Sequence, residues 1–138
     1  MNTLVLKGRK IVEGRAEGEA LVTREPISFM GSVNPKTGVV IERGHEIEGK
    51  CLKGKVLVFP CSKGSTGGSY MLYDLVKNGQ GPIAIVNAEA ESVVAIGAIV
   101  ADLPMVDRVD ISKIETGDYV IVDADGGTVE VHRKDRES

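Results

Sequence analysis

The chain has 138 residues, 42% of them hydrophobic, and a formal net charge of −3. That is enough apolar material for one domain around one core, and the acidic balance excludes a basic nucleic-acid-binding surface. Aromatic residues make up only 4% and Trp is absent, so aliphatic side chains have to fill the interior, while 17 glycines predict many tight turns and a β-rich architecture.

Taken in chain order, residues 4–6 and 10–12 flank Gly8 and read as strands, and 19–22 reads as a third that ends at Glu25-Pro26. Asn34-Pro35-Lys36-Thr37-Gly38 predicts a turn, followed by a short strand over 39–41. A polar loop over 43–54 leads into the apolar run Val56-Leu57-Val58-Phe59, which reads as a buried strand. Residues 70–77 predict a helix that stops at Asn78-Gly79. The continuous apolar run 82–86 predicts a strand covered on both faces, and a second helix is expected over 89–98. An extended piece at 104–106 follows. Residues 118–123 and 127–131, joined by Ala124-Asp125-Gly126, carry a hairpin signal. The expectation is a single α/β, β-rich domain over 1–138 with two helices near its middle.

Residues 1–7 have neither a basic leader nor a long apolar core, and the longest apolar stretch, 93–101, is interrupted by Gly97 and too short to cross a bilayer. A cytoplasmic chain without membrane contact is expected. Cys51 and Cys61 lack CxxC spacing and are read as reduced thiols, with no metal site in this chain.

The most informative stretch is the loop between strand 56–59 and helix 70–77. Within it Ser62, Ser65, Thr66 and Ser69 gather with Gly64, Gly67, Gly68 and Lys63. A helix N-cap needs one hydroxyl, not four. A loop of this kind at a helix start turns unpaired backbone N–H groups and the positive end of the helix dipole toward one point, which suits an anion or a developing negative charge. It is not a Walker loop, because Lys63 precedes the glycines, and no Gly-x-Gly-x-x-Gly dinucleotide fingerprint appears. His45 and His132 are expected at the surface, His132 in a fraying tail. Asp102 and Asp107 are expected to cap or solvate the segment around Pro104, and Glu89 and Glu91 to stand on the exposed start of the second helix.

Three segments then occur in order: Phe29-Met30-Gly31-Ser32-Val33-Asn34-Pro35-Lys36-Thr37-Gly38, the loop Pro60-Cys61-Ser62-Lys63-Gly64-Ser65-Thr66-Gly67-Gly68-Ser69, and residues 94–107. Together they resemble the small subunit of the aconitase X family, over most of the chain from about Gly14 to Asp123. The resemblance implies a swivelling β/β/α domain like the mobile C-terminal domain of aconitase. It implies a heterodimer with a large subunit that carries a 4Fe-4S cluster, no cofactor being bound by this chain. In the archaeal form of the family the reaction is dehydration of (R)-5-phosphomevalonate to trans-anhydromevalonate 5-phosphate, on the way to isoprenoids.

Aconitase-like swivelling domains carry Gly-x-Gly-Ser-Ser-Arg before a helix, the first Ser being the base. The matching stretch here is Ser62-Lys63-Gly64-Ser65-Thr66-Gly67, so the resemblance makes Ser65 the catalytic base, with Ser62 as its rival. Ser62, Lys63, Gly64, Thr66, Gly67, Gly68 and Ser69 are then the substrate-binding positions. Lys63 stands where relatives have an Arg, and supplies charge without the planar fork. Two other readings stay open: a related hydro-lyase of the hydroxyproline dehydratase type, and a swivelling phosphocarrier or binding module, which would need a His such as His45.

Overall fold

The computed structural model describes residues 3–63 and 67–133. These contain eight strands: β1 (Thr3–Lys7), β2 (Arg9–Val12), β3 (Arg15–Val22), β4 (Val56–Phe59), β5 (Ala84–Asn87), β6 (Met105–Asp107), β7 (Tyr119–Asp123) and β8 (Thr128–His132). A kinked four-residue turn, α1 (Phe29–Ser32), and two helices, α2 (Gly67–Lys77) and α3 (Ser92–Ala101), complete the main elements.

The strands form one ribbon in the order β1-β8-β7-β3-β4-β5-β6-β2. One half is an antiparallel meander, with β8 between β1 and β7, and β7 paired to Arg15–Glu19 of β3. The other half is parallel from β3 to β6, with Ala20–Val22 of β3 paired to β4, β4 to β5 and β5 to β6, and ends in β2, which lies antiparallel to β6. β3 therefore belongs to both halves. β1 and β2 lie at opposite ends of the strand order, yet only Gly8 separates them in the chain, so the ribbon curls back on itself.

Gly8 is the residue that permits this closure. A Cβ there would run into the Asp107 carbonyl oxygen and stand 2.7 Å from Val109 Cγ2, and the Gly8 N–H donates to the Gly127 carbonyl at 2.8 Å. The clash is with backbone, which cannot rotate away. Gly8→Ala is expected to lower stability by about 1–3 kcal/mol, the usual cost of overpacking, seen as a lower urea midpoint. A midpoint equal to that of the parent chain would remove Gly8 from this role.

Every residue of β4 and β5 is buried, as the unbroken apolar runs predict. Successive side chains point to opposite faces. Leu57, Phe59 and Ile85 pack with Leu72 and Leu75 of α2 and with Val94 and Ala98 of α3. Val56, Val58, Ala84 and Val86 pack instead with Val120, Val122, Val129 and Val131 of the meander. The layers are thus sheet, sheet and helices, the β/β/α arrangement expected. Within the helical layer α2 and α3 approach closely at Gly97, where a Cβ would lie 3.1 Å from both Leu72 Cδ2 and the Ser69 carbonyl.

Several boundaries differ from the sequence expectation. Residues 39–41 make only isolated bridges, Val33 to Val40 and Val39 to Cys51, rather than a strand. The second helix runs Ser92–Ala101, later than 89–98, because the Ala88 and Glu89 N–H groups turn back to the Pro60 carbonyl. His132 is the last residue of β8, opposite Thr3, and not part of a fraying tail. Among the described residues no helix is long and apolar enough to cross a membrane.

Candidate active site

The parallel strands β3, β4, β5 and β6 end on one edge of the sheet, and loops at such carboxyl ends are where open α/β sheets take ligands. The loop after β4 is built there. Beyond the end of β3, Ile27 bridges in parallel to Ser62. Its N–H donates to the Cys61 carbonyl at 3.2 Å and its carbonyl accepts the Lys63 N–H at 2.9 Å. These bonds hold Ser62 and Lys63 in extended backbone up to the loop. They also bring α1 alongside, and Phe29 meets Phe59 edge to face with centroids 5.9 Å apart.

Gly64, Ser65 and Thr66 lie outside the described residues. The other five expected binding positions stand together. Ser62 is buried, and its hydroxyl donates to the Glu91 carboxylate at 3.2 Å. Lys63 pairs with Glu42 at 2.9 Å, and Glu42 also accepts the Ser32 hydroxyl at 2.6 Å. The Ser32 bond, with that of Lys63, holds the Glu42 carboxyl below its ordinary pKa despite partial burial. Gly67 opens α2. Gly68 is buried where α2, α3 and α1 converge: a Cβ would meet Val93 Cγ1 at 3.2 Å and the backbone nitrogens of Phe29 and Met30 at 4.0 Å. The Ser69 hydroxyl donates to the Val93 carbonyl at 2.7 Å and so ties the first turn of α2 to that of α3. The first-turn N–H groups of α2 have no intrahelical acceptors and carry the positive end of the dipole.

The three segments that were separate in sequence thus meet at one edge. Residues 29–38 reach it through Ser32, whose hydroxyl shares Glu42 with Lys63, the loop through Ser62 and Lys63, and residues 94–107 through Gly97, which packs on the Ser69 backbone. Asp107 does not solvate a loop, contrary to expectation. It is fully buried, takes a two-pronged bond from Arg9 (2.9 and 2.8 Å) and accepts the Ala90 N–H at 2.9 Å. Asp102 is the left-handed C-cap residue of α3, and Glu91 its N-cap residue. Glu42 and Glu91 were missed as site residues. Glu42 sits in a polar loop with no pattern to mark it, while Glu91 could have been found from its place directly before an apolar helix.

His45 is another correction. It is 6% exposed, with Nε2 3.0 Å from the Pro26 carbonyl and Nδ1 accepting the Ile47 N–H. A ring held at both nitrogens packs a loop and does not present a nucleophile. The donor set does not fit an iron–sulfur cluster either, which takes several thiolates. Among the described residues no three of His, Cys, Asp and Glu gather as metal ligands. Cys51 is exposed on its loop, and burial, with the nearby Glu91 charge, pushes the Cys61 thiol above its ordinary pKa, toward the protonated form that binds metal poorly.

Comparison with known proteins gives this chain a lineage. The family described as the aconitase X swivel domain matches residues 5–131. The chain belongs to that family. It is 57% identical over 126 residues to the phosphomevalonate dehydratase small subunit of Thermococcus kodakarensis, covering 91% of this chain and 95% of the relative. It is 53% identical over 134 residues to the protein of the same name from Methanosarcina acetivorans, covering 95% and 93%. Its fold superposes on the crystal structure of holo aconitase X from Thermococcus kodakaraensis with a TM-score of 0.92 and 55% identity, over 94% of this chain and 99% of that one. A solution NMR structure of a UPF0107 protein superposes with a TM-score of 0.86 at 47% identity, over 94% of this chain and all of the other.

Proposed function

We propose that this aconitase X swivel domain is the small subunit of a phosphomevalonate dehydratase. With its large subunit it removes water from (R)-5-phosphomevalonate to give trans-anhydromevalonate 5-phosphate, in the cytoplasm of an archaeon. The observation that carries this reading is the identity above 50% with small subunits of that name along more than nine-tenths of both chains. The convergence of the three family segments on the loop edge supports it from a separate direction.

In this reading the loop supplies the proton acceptor. A serine hydroxyl is too weak an acid to ionise unaided at neutral pH, so the alkoxide has to be held by the N-terminus of α2, by backbone N–H groups and by the Lys63 cation in a closed, dry site. Ser65 is the acceptor by resemblance, and takes the proton alpha to the substrate carboxylate. Ser62 is the second reading, favoured by its hydroxyl bond to Glu91. Lys63 and the N–H groups of Gly67, Gly68 and Ser69 bind a substrate anion. An iron–sulfur cluster held by the large subunit would supply the Lewis acid for the leaving hydroxyl.

The test is turnover by the purified two-subunit complex, offered (R)-5-phosphomevalonate and, separately, hydroxyprolines. Formation of the anhydro product from phosphomevalonate is expected. Turnover of a hydroxyproline alone would move the chain to the other dehydratase class. Lys63→Met is expected to raise KM about tenfold or more, in keeping with the loss of one charge-assisted bond of about 1.5–3 kcal/mol, and to change kcat less. An unchanged KM would show that Lys63 only ties down Glu42.

A further inference from the structure

Away from the polar loop edge, the helical layer carries an apolar surface that the core does not use. In α3, Ser-Val-Val-Ala-Ile-Gly-Ala-Ile-Val-Ala, no residue is charged, yet only Val94, Gly97 and Ala98 are buried. Ile96, Ile99 and Val100 face outward at 52%, 59% and 60% exposure, and Tyr70 of α2 reaches 78%. An amphipathic surface helix would place polar residues there. Between the two helices lies a groove of about 400 Å³ lined by Ser69, Tyr70, Tyr73, Ile96 and Val100.

The groove is continuous with the loop edge. Both helices start at the carboxyl ends of their strands, β4 and β5, so both N-termini stand at the edge that carries Ser62 and Lys63. Ser69 belongs to both places, as an expected binding position and as a wall of the groove. Met30, half exposed, extends the apolar rim on the other side of Gly68. Two tyrosines, two exposed aliphatic side chains and the absence of charge along α3 make up the composition of an interface core.

We propose that the groove between α2 and α3 is the docking surface for the large subunit, which enters it with an apolar ridge. This rests on the assignment of the chain as a small subunit. A second copy of this chain is the poorer occupant. It would cover the same edge that the large subunit has to close for dehydration to occur, whereas one partner that fills the groove and closes the loop satisfies both demands at once.

The experiment uses the full chain co-expressed with the large subunit, with affinity and hydrogen exchange as readouts. Ile96→Glu and Val100→Glu are expected to weaken binding about tenfold or more, as loss of a central interface contact does. Val5→Glu, on exposed β1 in the opposite layer, is expected to bind as the parent does. All three positions are exposed, so the variants should melt near the parent temperature. Should a glutamate variant fail to fold, the parent complex still decides: amide exchange in α3 and the first turns of α2 is expected to slow when the large subunit binds. Parent-like affinity of both helix variants, unchanged exchange in α3, or a homodimer lost by the same substitutions without effect on the large subunit would each overturn the proposal. Binding is read apart from turnover. A complex that forms through the groove but leaves phosphomevalonate untouched defeats the substrate assignment and not the docking surface.

Discussion

Ser65→Ala is expected to lower kcat of the two-subunit enzyme by about 10²–10⁴-fold, the usual contribution of a positioned proton acceptor. The complex should still form, and KM should change little, because the group acts on the proton and not on the phosphate. Ser62→Ala makes the decisive comparison. If Ser65 is the acceptor, loss of the Ser62 hydroxyl removes only a buried bond to Glu91, and a fall in kcat of about tenfold or less is expected from the displaced loop. The reverse order, with Ser62→Ala inactive and Ser65→Ala active, transfers the role to Ser62 and gives Glu91 the task of orienting it. Equal, near-parental turnover of both variants would take the base out of this chain. Ser69→Ala is a useful third arm: its hydroxyl is spent on the Val93 carbonyl, so its loss should act on stability before turnover.

The sequence was most legible where a residue's surroundings are fixed by its neighbours along the chain. Apolar runs gave β4 and β5, and Asp125-Gly126 marked the β7–β8 hairpin within a residue of its position. Glycine, serine and threonine before an apolar helix marked the loop edge. What stayed hidden depends on partners distant in sequence. The first half of β3, Arg15-Ala16-Glu17-Gly18-Glu19, looks too polar for a strand, and forms one because β7 pairs with it antiparallel while its charged residues stay in solvent. His45 and Asp107 read as surface residues because their type favours exposure. Burial becomes tolerable only when Pro26 and Ile47, or Arg9 and Ala90, are brought to them by the fold. The curl of the ribbon is equally invisible, since one glycine between two short strands gives no hint that they lie at opposite ends of the sheet.

At the end of the ribbon that starts directly after Gly8, a buried carboxylate ties β2 to β6, and its removal is expected to be costly. Asp107 ends β6, Arg9 begins β2, and their fork joins the last two strands of the ribbon directly beside Gly8. Burial opposes the charge of Asp107, but the bonds from Arg9 and the Ala90 N–H outweigh it and set its pKa below the ordinary value. Asp107→Asn keeps the shape and loses the charge, and a loss of about 2 kcal/mol is expected from the weakened charge-assisted bonds. Arg9→Met should cost more, because it leaves the carboxylate buried and uncompensated, whereas a lone Arg9, half exposed, can turn to water. The pH dependence separates charge from shape. A carboxyl whose pKa is depressed by folding stabilises fully above its unfolded value, about 3.9, and that contribution is lost as pH falls through the lower folded value. Urea midpoints at pH 7 and pH 3 should therefore show the gap between parent and Asp107→Asn narrowing in acid. A gap that stays constant between the two pH values would mean that Asp107 acts by packing alone, and that β2 is held on β6 by their backbone bonds without help from the ion pair.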